Sequence, residues 1–369
     1  MKWILAPDSF KNCLRSPQVA AYLAEGIREI SPGDTIIELP LADGGEGTVE
    51  AAARATGGRL EECRVSGPLG EPVMAHHALL SSGCALLELA EAAGLERIPE
   101  SGRDPLRTTT FGVGEQLRNL LDAGIRNFVI GIGGSATVDG GIGLFQALGG
   151  LCRDAAGREI PAGAGGGVLE RIAFLDVAGL HPGVAKSVIR IASDVTNPLT
   201  GPRGAARIFA PQKGASPAEV ERLERGLIRW AELWNDPGDS PGDGAAGGVG
   251  FLLRKLGGRM ESGAALLLDL AQFDRHLDGT DWVVTGEGRT DFQSLDGKLC
   301  AVVAARAAAK GVRTILCSGS IEPDFRAACF AGCFSVASGP GTLEQAFEQT
   351  PENLRRMGRS LAGILKGHL

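Results

Sequence analysis

The chain has 369 residues, 44% of them apolar and 22% charged, which suits two globular domains with sizeable cores. A formal net charge of -7 argues against nucleic-acid binding, which favours a basic surface. No apolar run approaches the ~18 residues of a membrane span. An acid at Asp8 comes too early for a signal peptide, so a cytoplasmic protein without a membrane segment is expected.

In chain order, Trp3-Ile4-Leu5-Ala6 reads as a short strand, followed by the loop Pro7-Asp8-Ser9-Phe10-Lys11. Ser16-Pro17 predicts a helix start, with Ser16 as N-cap, and Val19, Ala20, Leu23, Ile27 and Ile30 recur on one helical face. Thr35–Leu39 is the second strand, and Asp43-Gly44-Gly45-Glu46-Gly47 leads into a helix that stops at Gly57-Gly58. From Arg59 to Leu89, short strand-like runs are broken by Gly67-Pro68 and Ser81-Ser82-Gly83, a pattern of antiparallel pairing. Helices are predicted over Phe111–Ala123 and Ala218–Asn235. The second opens on Ser216-Pro217-Ala218-Glu219, a capping box with proline in its first turn.

The last ninety or so residues return to the grammar of the first forty. The strand Trp282–Thr285 precedes Gly286-Glu287-Gly288-Arg289-Thr290-Asp291, and an Ala-rich helix runs to Lys310. Thr314–Cys317 precedes Ser318-Gly319-Ser320, then a short helix, the strand Phe334–Ala337 and a final helix. Alternating strands and helices imply parallel pairing with helices on both faces. The expected architecture is a doubly wound α/β domain built from both chain ends, 1–60 and 280–369. A mixed α/β domain, 61–279, is inserted between them.

Ligands of open parallel sheets bind outside the carboxyl ends of the strands. Here those ends carry loops of Gly, Asp, Ser and Thr. In the insert, Phe128-Val129-Ile130 runs into Gly131–Gly141, and Ile189–Ala192 runs into Ser193-Asp194-Val195-Thr196-Asn197-Pro198. The 55 glycines let backbone N–H groups approach phosphate oxygens, and carboxylates suit Mg²⁺. The pattern points to a phosphate- or nucleotide-using enzyme. A P-loop and the protein-kinase motifs are absent. Gly131-Ile132-Gly133-Gly134-Ser135-Ala136 fits a dinucleotide fingerprint and raises an NAD(P)-dependent hydroxy-acid dehydrogenase as the rival class. Against it, Asp139-Gly140-Gly141 interrupts where a long helix should open. A metabolite sensor without activity is a third class. The eight Cys form no C-x-x-C pair and read as small buried thiols; His76-His77 reads as structural.

The loops as a set resemble those of the bacterial glycerate kinase family, over nearly the whole chain. The likeness rests on Ala6–Lys11, Pro40–Thr48, Gly131–Thr137 with Asp139-Gly140-Gly141, and Ser193-Asp194-Val195 with Asn197-Pro198-Leu199. It continues through Pro211-Gln212-Lys213-Gly214, Gly244–Gly248, and Thr285–Gly288 with Asp291 and Gly297-Lys298. Asn12-Cys13 departs from it, since the family typically has small residues such as Gly and Ser there. The resemblance implies a flavodoxin-like domain with an inserted second domain, and ATP, Mg²⁺ and glycerate as reactants. It also implies 2-phosphoglycerate as product, with 3-phosphoglycerate as the alternative.

Within that reading, Asp194 is the expected general base and Asp139 its alternative. Lys11 is expected to bind phosphate or the glycerate carboxylate, beside Asp8, Ser9 and Glu287. Asp43, Glu46 and Asp291 are the metal candidates. Arg289 is placed on the glycerate carboxylate. Lys213 and Lys298 are expected phosphate clamps, with Ser135 and Thr137 as donors. These residues come from both expected domains, so a cleft between the two is the expected site.

Overall fold

The computed structural model describes residues 1–42, 44, 45, 47–292 and 298–367. It divides into two compact units. The first holds Met1–Asp43, Glu50–Gly58 and Ala264–Leu369; the second holds Gly44–Val49 and Arg59–Gly263. The boundary at Gly263/Ala264 lies before the expected residue 280, because a helix from Gly263 to Leu270 puts Ala264 and Leu268 into the core of the first unit.

Sheet strands and the main helices are numbered along the chain. They run β1 (Lys2–Leu5), α1 (Ser16–Ile30), β2 (Thr35–Glu38), α2 (Thr48–Thr56), β3 (Arg59–Ser66), β4 (Pro72–Leu79) and β5 (Cys84–Glu88). Next come α3 (Phe111–Asp122), β6 (Asn127–Gly131), α4 (Ile142–Ala147), β7 (Val188–Ala192), α5 (Pro217–Leu233), α6 (Val249–Lys255) and β8 (Arg259–Glu261). The chain ends with α7 (Gly263–Leu270), β9 (Trp282–Thr285), α8 (Leu299–Ala309), β10 (Arg313–Ser318), β11 (Gly332–Ser335) and α9 (Leu343–Lys366).

Among the described residues, the main sheet of the first unit has five strands, all parallel, in the order β11-β10-β9-β1-β2. Counted along the unit this is 2-1-3-4-5, the flavodoxin-like order, whose switch point lies between β1 and β9. The central strands β1, β9 and β10 are buried on both faces. Trp3, Leu5 and Val284 point to one core with Leu23 and Ile27 of α1 and Leu354 and Leu361 of α9. Ile4 and Val283 point to the other, with Leu268 of α7 and Val303 of α8. Helices α1 and α9 approach closely at glycine. A Cβ on Gly26 would lie 2.0 Å from the Arg355 carbonyl oxygen.

Two local expectations shift. Ser16 is the first residue of α1 rather than its cap, because its hydroxyl donates to the Pro7 carbonyl at 2.8 Å. The short helix expected before Phe334 is a pair of turns. There Phe325 and Phe330 are buried against Cys300 and Leu316, and the Arg326 side chain takes the Pro323 and Phe325 carbonyls.

In the second unit the sheet order is β8-β7-β6-β5-β4-β3. The expected antiparallel run is present as β3/β4/β5, and β5, β6, β7 and β8 are parallel neighbours. The capping box at α5 forms as expected: Glu219 N–H donates to the Ser216 hydroxyl at 3.4 Å, and Ser216 N–H to the Glu219 carboxylate at 2.7 Å. Among the described residues no helix is long and apolar enough to cross a membrane. Of the cysteines, Cys152, Cys300 and Cys317 are buried as expected, whereas Cys329 and Cys333 are exposed at and just before the edge strand β11.

Candidate active site

The switch point of the first unit opens into a cavity of about 590 Å³. Its charged lining comes mostly from the loops after β1 and β9. Asp8, Ser9 and Lys11 come from the first, and Glu287 and Arg289 from the second; Lys298 joins them just before α8. The loops reach this place because β1 and β9 are hydrogen-bonded neighbours, and the pairing continues past their ends. Ala6 N–H donates to Val284 O and Asp8 N–H to Gly286 O, both at 2.8 Å. Gly286 has no room for a side chain; a Cβ would sit 1.8 Å from the Cys317 carbonyl oxygen. The close packing of these loops explains the glycine run that the sequence showed.

Asp8 is nearly buried, and its carboxylate accepts the Ser9 N–H at 2.6 Å. Glu287 accepts the Thr290 hydroxyl at 3.0 Å. Burial pushes the Cys300 thiol well above its ordinary pKa, and the negative charges of Glu287 and Asp8 push the same way. The two carboxylates therefore bear on one point of the cavity. Lys11 is exposed there. Arg289 lines the cavity too, but its guanidinium donates to Glu322 at 2.8 Å, so one face is already engaged by a protein carboxylate. Asp291 is half-buried in the same loop. Asp43 and Glu46 lie outside the described residues. Among the described residues, no three His, Cys, Asp or Glu side chains are grouped as a ready metal cage.

The apolar part of the cavity lining was not anticipated from sequence. It consists of Phe10, Val336 and three residues of α9, Leu343, Ala346 and Phe347. The i, i+3, i+4 spacing of those three puts them on one face, and Thr342 caps the helix in a box with Gln345. That spacing was the available signal. Pro351 cannot donate to the Phe347 carbonyl four residues before it. The Cys13 thiol donates to that carbonyl instead, at 3.6 Å. Asn12, one of the two positions where the family resemblance leads one to expect small residues such as Gly and Ser, has φ 62°, a left-handed conformation that Asn tolerates.

In the second unit, the ends of β6 and β7 lie side by side, with Gly131 opposite Ala192. This brings the Ser135 and Asp194 loops to one edge. Gly44 and Gly45 pack on that edge: Gly133 N–H donates to Gly44 O at 3.1 Å, and a Cβ on Gly133 would lie 2.6 Å from the Gly45 Cα. The fully buried Glu88, another residue sequence reading missed, fixes the same loop by accepting Gly47 N–H at 3.0 Å and Val49 N–H at 3.3 Å. The Asp194 carboxylate is exposed and accepts the Gly263 N–H at 3.1 Å.

The structure places Asp139, Thr137 and Lys213 in the interior. Asp139 has no exposed surface. Its carboxylate accepts the Thr110 N–H and hydroxyl at 2.8 Å each, Gly141 N–H at 3.0 Å and Gly143 N–H at 3.4 Å. Burial raises its pKa, and those hydrogen bonds oppose the rise. A carboxylate so enclosed braces its loop and has no face for a substrate proton. Lys213 is 3% exposed and donates to the Ser135 hydroxyl and the Thr137 carbonyl, both at 2.7 Å. Burial brings its pKa down to about 7, against the attraction of Asp139. In this arrangement its ammonium supports the Ser135 loop from beneath. Thr137 is fully buried, and its hydroxyl has no hydrogen-bond partner among the described residues. The cause of this burial is the wrapping of residues 136–140. Trp230 donates to Gly140 O at 3.0 Å, Thr108 donates to Ala136 O at 3.0 Å, and Gly247 packs on Thr137.

A doubly wound sheet with a charged cavity at its switch point is the arrangement in which α/β enzymes bind small ligands. No long helix opens from the Gly131 loop, since α4 starts only at Ile142, and this disfavours the dinucleotide reading. The chain belongs to the glycerate kinase family: that family's model matches residues 3–366. It is 44% identical over 375 residues to the glycerate 2-kinase of Escherichia coli K12, covering 99% of this chain and 98% of the relative. It is 42% identical to the glycerate kinase of Bacillus subtilis 168, with the same coverage of each chain. A crystal structure provisionally named glycerate kinase 2, from Salmonella typhimurium LT2, superposes with a TM-score of 0.88 at 43% identity, covering 100% of this chain and 99% of that one.

Proposed function

We propose that this kinase transfers the γ-phosphoryl group of Mg-ATP to the 2-hydroxyl of glycerate, giving 2-phosphoglycerate and ADP. The observation that carries the reading is the charged lining of the switch-point cavity, which includes Lys11 and Lys298 together with Asp8 and Glu287. The E. coli relative named a glycerate 2-kinase supports the choice of product.

Phosphoryl transfer asks the protein mainly for positioning and for positive charge near the transferring group. Lys11 and Lys298 offer that charge. Mg²⁺ in such sites is held by one or two carboxylates together with substrate phosphates, so a ready-made cage is not needed. Asp8 and Glu287 fit this donor type, with Asp291 in the same loop; Asp43 and Glu46 remain proposed ligands. When bound, the metal would neutralise charge on the phosphates. The acceptor alcohol must lose a proton as the new P–O bond forms. Asp194 is the proposed base, because its carboxylate is exposed whereas that of Asp139 is enclosed. ATP and glycerate are the proposed partners, and the cytoplasm is the proposed compartment.

The test is ADP release by the purified protein with Mg-ATP, with and without glycerate. Release only with glycerate is expected. Enolase and pyruvate kinase should then report product without added mutase. A strict need for mutase would move the product to 3-phosphoglycerate. NAD(P)H turnover on a hydroxy acid without ADP release would refute the kinase reading.

A further inference from the structure

We infer that the switch-point cavity of the first unit is the nucleotide site, with the adenine base seated on the first two turns of α9 and the phosphates at Lys11 and Lys298. This rests on the phosphoryl-transfer reading and adds where the nucleotide lies and how it is oriented.

Size comes first. A volume of about 590 Å³ falls among pockets that enclose drug-sized ligands, ~300–1,000 Å³. A three-carbon acid would fill a small part of it. The second argument is the make-up of the lining. The lining combines Ser9, Lys11 and Lys298 from the strand-end loops and the start of α8 with Phe10 and with Leu343 and Phe347 of α9. A ligand that matches both has a flat, weakly polar ring at one end and a string of negative charge at the other. Lys298 also stands directly before the 11-residue helix α8, so anionic groups there meet a helix N-terminus as well as an ammonium.

The third argument is Leu343. It is 70% exposed and lines the cavity. A large apolar side chain left open on the wall of a concave site is what a bound ring would cover. Finally, the wall is set in place before any ligand arrives. The Cys13 thiol ties the Phe347 carbonyl to the β1 loop, taking the acceptor that Pro351 leaves unused. That loop is itself closed by paired hydrogen bonds between Phe10 and Leu14, at 2.8 and 2.9 Å. A preformed apolar wall loses little freedom on binding.

The test uses the full-length protein and an unreactive β,γ-imido analogue of ATP. Calorimetry gives its Kd for wild type, Leu343→Asp and Ala346→Trp. The first change puts a charge where the ring would lie, at an exposed position that tolerates it. The second fills the space. Each is expected to weaken analogue binding at least about tenfold, a loss of ~1.4 kcal/mol. In parallel, maleimide labelling of Cys13 is followed by peptide mass mapping. The analogue should protect Cys13, and glycerate alone should not. Wild-type Kd in both variants, or labelling unchanged by the analogue, would overturn the assignment while leaving glycerate-dependent ADP release standing. Protection by glycerate alone would give the cavity to the acceptor and also overturn it. If wild type binds no analogue and releases no ADP with glycerate, the kinase reading itself falls.

Discussion

Asp139 gives the sharpest contrast between a catalytic and a structural carboxylate. Replacing it with Ala strips the acceptor from the buried Thr110 and Gly141 N–H groups, held at 2.8 and 3.0 Å, and from the Thr110 hydroxyl at 2.8 Å. It also removes the opposite charge that acts on buried Lys213. Each unsatisfied buried donor costs roughly 1–3 kcal/mol, and breaking a buried charged network from one side costs about 3–5 kcal/mol. A loss of ~3–5 kcal/mol is therefore expected for Asp139→Ala, a large share of the ~5–15 kcal/mol of a typical domain. Asp139→Asn keeps the shape and one acceptor oxygen, and should lose less. Urea unfolding followed by tryptophan fluorescence is a direct assay, since Trp230 donates to Gly140 next to the site. The midpoint should fall with the slope unchanged. An Asp139→Asn protein with the wild-type urea midpoint but kcat lowered a hundredfold would refute the structural role and make Asp139 the base.

The periodic elements were legible in the sequence because strand and helix spacing depend on neighbours a few residues away. Ser216-Pro217-Ala218-Glu219 announced α5, and the Gly-Pro and Ser-Ser-Gly breaks announced β3 to β5. The strand-end loops were legible as a set, because Gly131, Gly133 and Gly286 are required by contacts that leave no space for a Cβ. Which polar residue in such a loop faces solvent was not legible. Asp139 and Asp194 follow similar strands in similar loops, yet one is enclosed and the other exposed. The difference comes from Thr110 and Trp230, far away in sequence, whose bonds to the first loop no local pattern encodes. The apolar cavity wall was missed for a related reason. Leu343, Ala346 and Phe347 read as an ordinary amphipathic helix face, and only the tertiary structure shows that this stretch borders a cavity rather than the core.

Three further predictions follow from the second unit. Asp194→Asn should lower kcat by about 10²–10⁴-fold with little change in the urea midpoint; near-wild-type kcat would remove it from the mechanism. Gly133→Ala must push the Gly45 backbone away, since the new Cβ would lie 2.6 Å from its Cα. A cost of ~1–3 kcal/mol and a clear fall in activity are expected; unchanged activity would show that the two loops need not touch. Lys213→Met probes the strut beneath Ser135. Burial lowers the Lys213 pKa to about 7, with Asp139 opposing the fall. Between about pH 7 and the ordinary lysine value near ~10.4, the unfolded chain thus holds a proton that the folded chain lacks. Stability from this group rises with pH across that window, by at most about 1.4 kcal/mol per pH unit, and is lowest below it. Methionine cannot take the proton, so the rise disappears in the variant. The difference in unfolding free energy, wild type minus Lys213→Met, should therefore increase from about pH 7 to about pH 9.5 in matched urea titrations. Other titrating groups cancel in that difference. A flat difference would mean that Lys213 stays charged in the folded protein, as an ion pair with Asp139, and that the ammonium form is what holds Ser135.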